Sequence, residues 1–165
     1  MPTAHDLAQV NVMRLRAPLD SPALAAFVAA LDPVNALAEQ APGFVWRLKA
    51  ADGNSTSIRI FEDQGLIVNM STWQSLEALT DYVYRSAHAE IMRRRREFAL
   101  PMGEAYLALW WVPHGHAPSI AEAEDRLRHL RAHGPTPVAF GLRTPFSAPE
   151  ASVPPRVRDD DACSG

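Results

Sequence analysis

One predicted helix, residues 86–98, carries two side chains that are suited to chemistry. On a helical wheel of about 100° per residue, His88 and Arg95 lie at the edge of an apolar stripe that includes Ala87 and Phe98. A histidine or arginine turned towards a core costs free energy unless it is paired or solvated in a cavity. We therefore predict that His88 is a proton shuttle, or a ligand of a metal or haem. We predict that Arg95 binds a carboxylate, an enolate or another oxyanion of a substrate.

A structural explanation of the same helix stays open. His88 would then cap a neighbouring strand, and Arg95 would pair with Glu90, with Glu97 or with a carboxylate of a partner chain. The other arginines of this segment are expected to form a solvated face.

Polar and aromatic side chains on the predicted strands are the candidates for substrate binding. Asn11 and Asn69 lie between apolar neighbours, where an amide can orient a ligand in a pocket or satisfy backbone groups at a bulge or edge. Four tryptophans are many for 165 residues; they favour sheet packing or an aromatic cavity. Asn35 is expected to hydrogen-bond to backbone groups that the kink at Pro33 leaves unpaired. The predicted substrate-binding residues are Asn11, Asn69, Trp73, Tyr84, Trp110 and Trp111.

The other histidines do not form a convincing metal site. His129 and His133 lie four residues apart on a predicted helix, and His114 and His116 share a loop. Zinc needs three or four protein ligands, and no HExxH motif or acidic cluster accompanies these pairs. We predict no metal site and no cofactor, with haem on His88 as the alternative.

Composition excludes several classes of protein. A formal charge of −3 indicates neither nucleic acid nor an anionic membrane as a partner. No apolar run approaches the roughly 20 residues of a membrane span, and no signal peptide is recognised, so the expected location is the cytoplasm. The single cysteine, Cys163, forms no internal disulfide.

The elements that position these residues follow a β-α-β-(β)-β-α-β-α order. Strands are predicted at 7–14, 44–48, 56–61, 66–73 and 106–112, and helices at about 22–38, from 75, at 87–100 and at 119–133. This order indicates an α+β fold, the ferredoxin-like split βαβ arrangement with an antiparallel sheet. Residues 1–146 are expected to form one domain, and the Pro/Asp-rich tail at 147–165 is expected to be disordered.

The strand at 106–112 is apolar on both faces. Helices are expected to cover only one face of this sheet, and a solvated second face would carry polar residues. The open face is therefore predicted to pair with a second copy of the chain, which makes a homodimeric α+β barrel.

Several segments resemble an uncharacterised bacterial family, domain of unknown function 3291. They are the pattern LIVNMSTW (66–73), YVYRSAHAEIMRRRREF (82–98), AYLALWWVPHGHAPS (105–119) and RLRHLRAHGPTPVAF (126–140). That family is similar to the antibiotic-biosynthesis-monooxygenase group, whose members form dimeric α+β barrels. The resemblance implies this fold, and it implies no shared catalytic motif.

Three functions follow as hypotheses. The first is an enzyme of bacterial secondary metabolism that oxygenates, cyclises or isomerises an apolar polycyclic or aromatic substrate without a cofactor. His88 would move a proton and Arg95 would stabilise an oxyanion. The second is a haem protein with His88 as axial ligand. The third is a non-catalytic dimeric binding protein, which predicts that tryptophans fill the space between sheet and helices.

Overall fold

Five strands and five helices make up the part of the chain that the computed structural model describes, residues 4–50, 53, 55–85 and 87–149 without the side chains of 87, 88 and 91. In chain order they are β1 (His5–Leu15), α1 (Ala25–Gln40), β2 (Phe44–Arg47), β3 (Leu66–Trp73), α2 (Leu76–Arg85), α3 (Ala87–Arg93), α4 (Arg95–Phe98), β4 (Ala99–Leu100), β5 (Leu107–Pro113) and α5 (Ile120–His133). A short 3₁₀ turn, Pro22–Leu24, precedes α1.

The sheet is antiparallel, and its strands lie in the order β2-β3-β1-β5, with β4 pairing the end of β1 on the same side as β5. Strand β1 lies at the centre of the sheet between β3 and β5, and its Leu7 pairs with Trp73 of β3 and with Trp111 of β5. The α+β fold with a ferredoxin-like antiparallel sheet is thus confirmed. No helix within the described ranges combines the length and apolar composition that a membrane crossing requires.

Local chemistry explains where several elements end. Ser119 accepts a hydrogen bond from the backbone N–H of Glu122 at 3.1 Å, which is the predicted N-terminal cap of α5. Gly134 follows that helix with a φ of 71°. Between α1 and β2, Gly43 has a φ of 83°, and a Cβ at this position would lie 2.5 Å from the Cβ of Ala78. Glycine is therefore required at the turn that brings α1 back to the sheet.

Two predicted elements differ from the structure. Residues 56–61 form turns rather than a strand, because Phe61 and Glu62 adopt left-handed backbone (φ 54° for both) and the Phe61 N–H donates to Glu124 of α5 at 2.9 Å. The predicted helix at 87–100 breaks at Arg94. The break directs Phe98, only 2% exposed, against Phe27 and lets the next two residues pair with β1.

Helices cover both faces of the sheet. Helices α1, α2 and α3 lie on the face that carries Leu7, Gln9 and Asn11. On the opposite face Ala8, Val10, Val12, Val68, Met70, Ala108, Trp110 and Val112 pack against Ala123, Leu127 and Leu130 of α5. The expectation that one face stays open is therefore wrong, because α5 of the same chain buries it. The homodimer itself remains a prediction.

The predicted tail at 147–165 lies almost entirely outside the described residues, which end at 149. Its disorder and the proposed domain boundary at 146 remain predictions.

Candidate functional site

Four polar side chains form a hydrogen-bonded network on the α1–α3 face of the sheet. Asn11 lies directly opposite Asn69, and Gln9 lies directly opposite Ser71, because β1 and β3 pair antiparallel in that register. The Gln9 amide donates to Asn69 Oδ1 and to Ser71 Oγ, both at 2.8 Å. Asn11 Nδ2 donates to Gln9 Oε1 at 3.3 Å. The alternation of strand side chains thus places four polar groups together on an otherwise apolar face.

A cleft of about 1040 Å³ lies over this network. Asn69 is the only exposed residue of its strand, because it faces the cleft while its neighbours are buried. The helices supply the opposite walls. The residues concerned are Val34, Asn35 and Ala38 of α1, Leu79, Tyr82 and Val83 of α2, and Ala89, Met92 and Arg93 of α3. A concave site of this size, apolar with a few convergent polar groups, has the character of a small-molecule site.

Arg95 lines a smaller recess of about 100 Å³ beside the cleft. The recess and the cleft share Asn11, Asn69 and Met92 in their walls, so they adjoin at the polar network. Nη2 of Arg95 donates to the Val12 carbonyl oxygen at 3.1 Å, and the guanidinium lies over the Tyr106 ring. Burial lowers the pKa of Arg95 from its usual high value, but an arginine remains charged.

Arg95 has no carboxylate within ion-pair distance among the described residues. Of its predicted structural partners, Glu97 instead pairs with Arg94 at 2.8 Å. Another arginine on the cleft wall, Arg47, is neutralised by Glu39 at 2.7 Å. A partly buried cation without an anion is costly, so the site is suited to an anionic ligand.

Aromatic rings form the wall of the cleft next to the polar network. Trp73 is 1% exposed and donates from Nε1 to Ser71 Oγ at 2.9 Å. Its ring stacks on Tyr82 with centroids 5.0 Å apart and meets Phe44 edge to face at 5.5 Å. Tyr82 donates to the Val34 carbonyl oxygen at 3.1 Å, and burial raises its pKa to about 12. The Tyr82 hydroxyl is therefore neutral at physiological pH.

Among the predicted site residues, Asn11, Asn69, Trp73 and Arg95 come together at the cleft and its recess. Tyr84 lies at the outer part of the cleft and is 64% exposed.

Trp110 and Trp111 do not belong to this group. Trp110 is buried on the opposite face of the sheet against α5, so its predicted contact with a cleft substrate is wrong. Trp111 lies on the cleft side but donates to the Phe146 carbonyl oxygen at 2.8 Å and is not part of the cleft wall. Successive side chains of a strand point to opposite faces of the sheet, so the neighbours Trp110 and Trp111 lie on different faces. His88 belongs to α3, but its side chain lies outside the described residues.

Several residues of the site were missed by the sequence analysis, among them Gln9, Asn35 and Tyr106. Gln9 and Asn11 are two apart on β1, so strand periodicity could have identified Gln9 as a member of the polar face. Asn35, expected to serve the backbone near Pro33, lines both the cleft and the recess. Tyr106 holds the Arg95 guanidinium, a contact between distant segments that no local pattern indicates.

Three of the other histidines have polar partners of their own. His114 Nδ1 lies 2.9 Å from Oδ1 of the buried Asp6, and His116 Nε2 lies 3.0 Å from Glu122 Oε2. His129 bonds to Thr136 at 2.8 Å. In the described portion of the chain, no three His, Cys, Asp or Glu side chains are grouped so that they could hold a metal ion.

Comparison with known proteins places the chain in a family. The model of a family described as a domain of unknown function, DUF3291, matches residues 6–156. None of the curated proteins matches the chain. Solved structures with a similar fold include PA3566 from Pseudomonas aeruginosa (11% identity, TM-score 0.47, 70% of this chain and 99% of that chain). Rv0793 from Mycobacterium tuberculosis is also similar (16%, 0.44, 69% and 99%). So is a mutant of SnoaB, a cofactor-independent oxygenase from Streptomyces nogalater (13%, 0.43, 70% and 97%).

Proposed function

The chain belongs to the DUF3291 family, and we propose that it is a small-molecule enzyme whose cleft binds an apolar aromatic or polycyclic substrate through an ionised oxygen. The reaction is oxygenation, cyclisation or isomerisation without a resident cofactor. Each of these reactions can pass through an enolate or a related oxyanion, which a preorganised cation and amide donors stabilise.

The observation that carries the proposal is the environment of Arg95. Its guanidinium is partly buried, is held by the Val12 carbonyl and the Tyr106 ring, and has no carboxylate partner among the described residues. A substrate oxyanion would supply the missing negative charge, and a charge-assisted hydrogen bond in a partly dry site is stronger than one in water.

The amide network supports the same conclusion. The oxygens of Asn69, Gln9 and Ser71 already accept bonds from N–H groups within the network. Asn69 Nδ2 donates to no residue that the structure describes, and Asn69 is exposed to the cleft. Asn69 Nδ2 is therefore a donor that a carbonyl or an oxyanion of a ligand can use, while Asn11 Oδ1, which accepts from no described residue, is an available acceptor.

The open cleft also favours an enzyme over a purely structural protein. A scaffold of this fold would fill the space between helices and sheet with its tryptophans. Here Trp73 lies in the wall, and the cleft above Asn69 keeps a volume of about 1040 Å³. Within this proposal His88 is the proton shuttle, a role that is based on its place in the sequence of α3.

Binding of aromatic anions tests the proposed site. Naphthalene-1-carboxylate, naphthalene-1-acetate and naphthalene-1-propionate are compared by calorimetry, and Arg95→Met should weaken the binding of the tightest of them about tenfold or more, since one charge-assisted contact is lost. Arg96→Met is the matched control, because Arg96 is exposed on the same short helix. Equal affinities of the wild-type protein and Arg95→Met would contradict the proposed site.

Turnover tests the enzyme itself. Polycyclic phenols and their carboxylated derivatives are offered to the protein, and dioxygen uptake and new products are followed by electrode and chromatography. We expect His88→Ala to lose turnover while ligand affinity is kept, because a proton shuttle acts in the transition state. Turnover that is unchanged in His88→Ala would refute the proton-transfer role.

A further inference from the structure

The recess beside Arg95 differs from the cleft in size and lining. It measures about 100 Å³, and most of its wall is apolar, from α1, from the core strands and from Phe98. The apolar members are Met13, Phe27, Ala30, Leu31, Val34, Ile67, Met92 and Phe98. Arg95 lines the recess, and the Tyr106 ring on which its guanidinium stacks lines the cleft, so a ligand in the cleft meets the guanidinium by extending an arm into the recess.

The volume limits what can extend there. A dry cavity of roughly 150 Å³ is known to hold a benzene ring, and this recess is smaller. Its volume suits a carboxylate on one or two carbon atoms better than an aromatic ring. The cleft of about 1040 Å³ has ample room for the ring system.

We infer that the substrate carries its anionic oxygen on a short arm, as an arylacetate or a related short acyl side chain does, and not directly on the ring. The arm passes Asn11 and Asn69, which line both spaces, and its charged end meets Arg95. The methylene part of the arm lies against Ala30, Leu31 and Phe98, which suits a short alkyl segment. This inference is based on the proposed function and narrows its substrate class.

A chain-length series of naphthalene probes tests the inference on the full chain. The probes are naphthalene-1-carboxylate, naphthalene-1-acetate, naphthalene-1-propionate and the neutral naphthalene-1-acetamide. We expect the acetate or the propionate to bind about tenfold more tightly than the carboxylate and the amide, because only these two bring a charge to Arg95.

Filling the recess provides the matched variant. Ala30→Leu should remove the preference for the acetate over the carboxylate, since the added side chain occupies the recess. Ala29→Leu, one position away and exposed on the same helix, should leave that preference unchanged. The series on the unmodified protein stands by itself if Ala30→Leu does not fold.

The outcomes separate this inference from the proposed function. If the carboxylate binds as tightly as the acetate or more tightly and depends on Arg95, the short-arm requirement is wrong and the anion-binding cleft stands. If all four probes, the neutral amide included, bind with equal affinity, charge does not contribute and both the anion-binding cleft and the short-arm requirement are wrong. If none of the probes binds, both the cleft proposal and the short-arm inference are overturned.

Discussion

The guanidinium carbon of Arg95 lies 4.2 Å from the centre of the Tyr106 ring, and Nη2 of the same side chain donates to the Val12 carbonyl oxygen at 3.1 Å. Tyr106 immediately precedes β5, whereas Arg95 begins the short helix α4. The ring and the carbonyl together set the plane of the guanidinium. The donors that remain are therefore held in a defined orientation next to the recess.

Removing the Tyr106 ring should loosen Arg95 without removing its charge. We expect Tyr106→Leu to weaken binding of naphthalene-1-acetate by about three- to tenfold, because a cation–π contact of this kind contributes roughly 0.5–2 kcal/mol. Tyr106→Phe keeps the ring and should bind almost as the wild type does. Calorimetry measures the affinities, and a loss of the same size in both variants would argue against the stacking role.

Replacing Gly43 by alanine should destabilise the fold strongly. The new Cβ would lie 2.5 Å from the Cβ of Ala78, and the backbone φ is 83°. Gly115→Ala is the control, since Gly115 has the same φ and no atom within 4 Å of an added Cβ. We expect the control to cost about 1 kcal/mol and Gly43→Ala at least about 2 kcal/mol more in urea denaturation. An equal loss of unfolding free energy in both variants would show that the turn at residue 43 shifts and removes the close contact with Ala78.

Tyr82 should make stability depend on pH in the alkaline range. Burial raises its pKa from 10.0 to about 12 in the folded protein. Below the pKa of the unfolded chain, 10.0, the hydroxyl is protonated in both states and does not change the stability. As the pH rises further the unfolded chain loses the proton first, so the folded protein loses stability between pH 10 and about 12. We expect a loss of about 1–3 kcal/mol across this window.

Tyr82→Phe provides the comparison, because it keeps the ring stacked on Trp73 and removes the titrating hydroxyl. The free energy of unfolding of both proteins is measured by denaturant titration from neutral pH to pH 12. The wild type should lose stability relative to Tyr82→Phe as the pH rises. Parallel curves over the whole range would mean that another group causes the alkaline loss.

Homodimerisation stays a prediction, and the structure restricts how it can occur. Pairing through the sheet face would require α5 to leave Val12, Met70 and Trp110, which it covers in the chain. We expect sedimentation velocity at micromolar concentration to show a species of twice 18.1 kDa. A single species of 18.1 kDa would contradict the dimer.

Much of the fold was predictable because it depends on local patterns. Apolar and β-branched composition indicated β1 and β3 within a residue or two, and Ser119 with Glu122 indicated the start of α5. Residues 56–61 were not predictable as turns, because their conformation depends on Glu124 of a distant helix accepting the Phe61 N–H.

The candidate site was likewise predictable only where it depends on local patterns. The sequence by itself determined that Asn11 and Asn69 lie among apolar strand residues and that Arg95 lies beside an apolar stripe. Only the tertiary structure decided that Asn11 and Asn69 face each other and that α5 buries Trp110. It also decided that Arg95 lies beside Tyr106 and has no carboxylate partner among the described residues. The physical reason is that periodicity sets the face on which a side chain lies, whereas strand register and helix packing set which distant groups meet there.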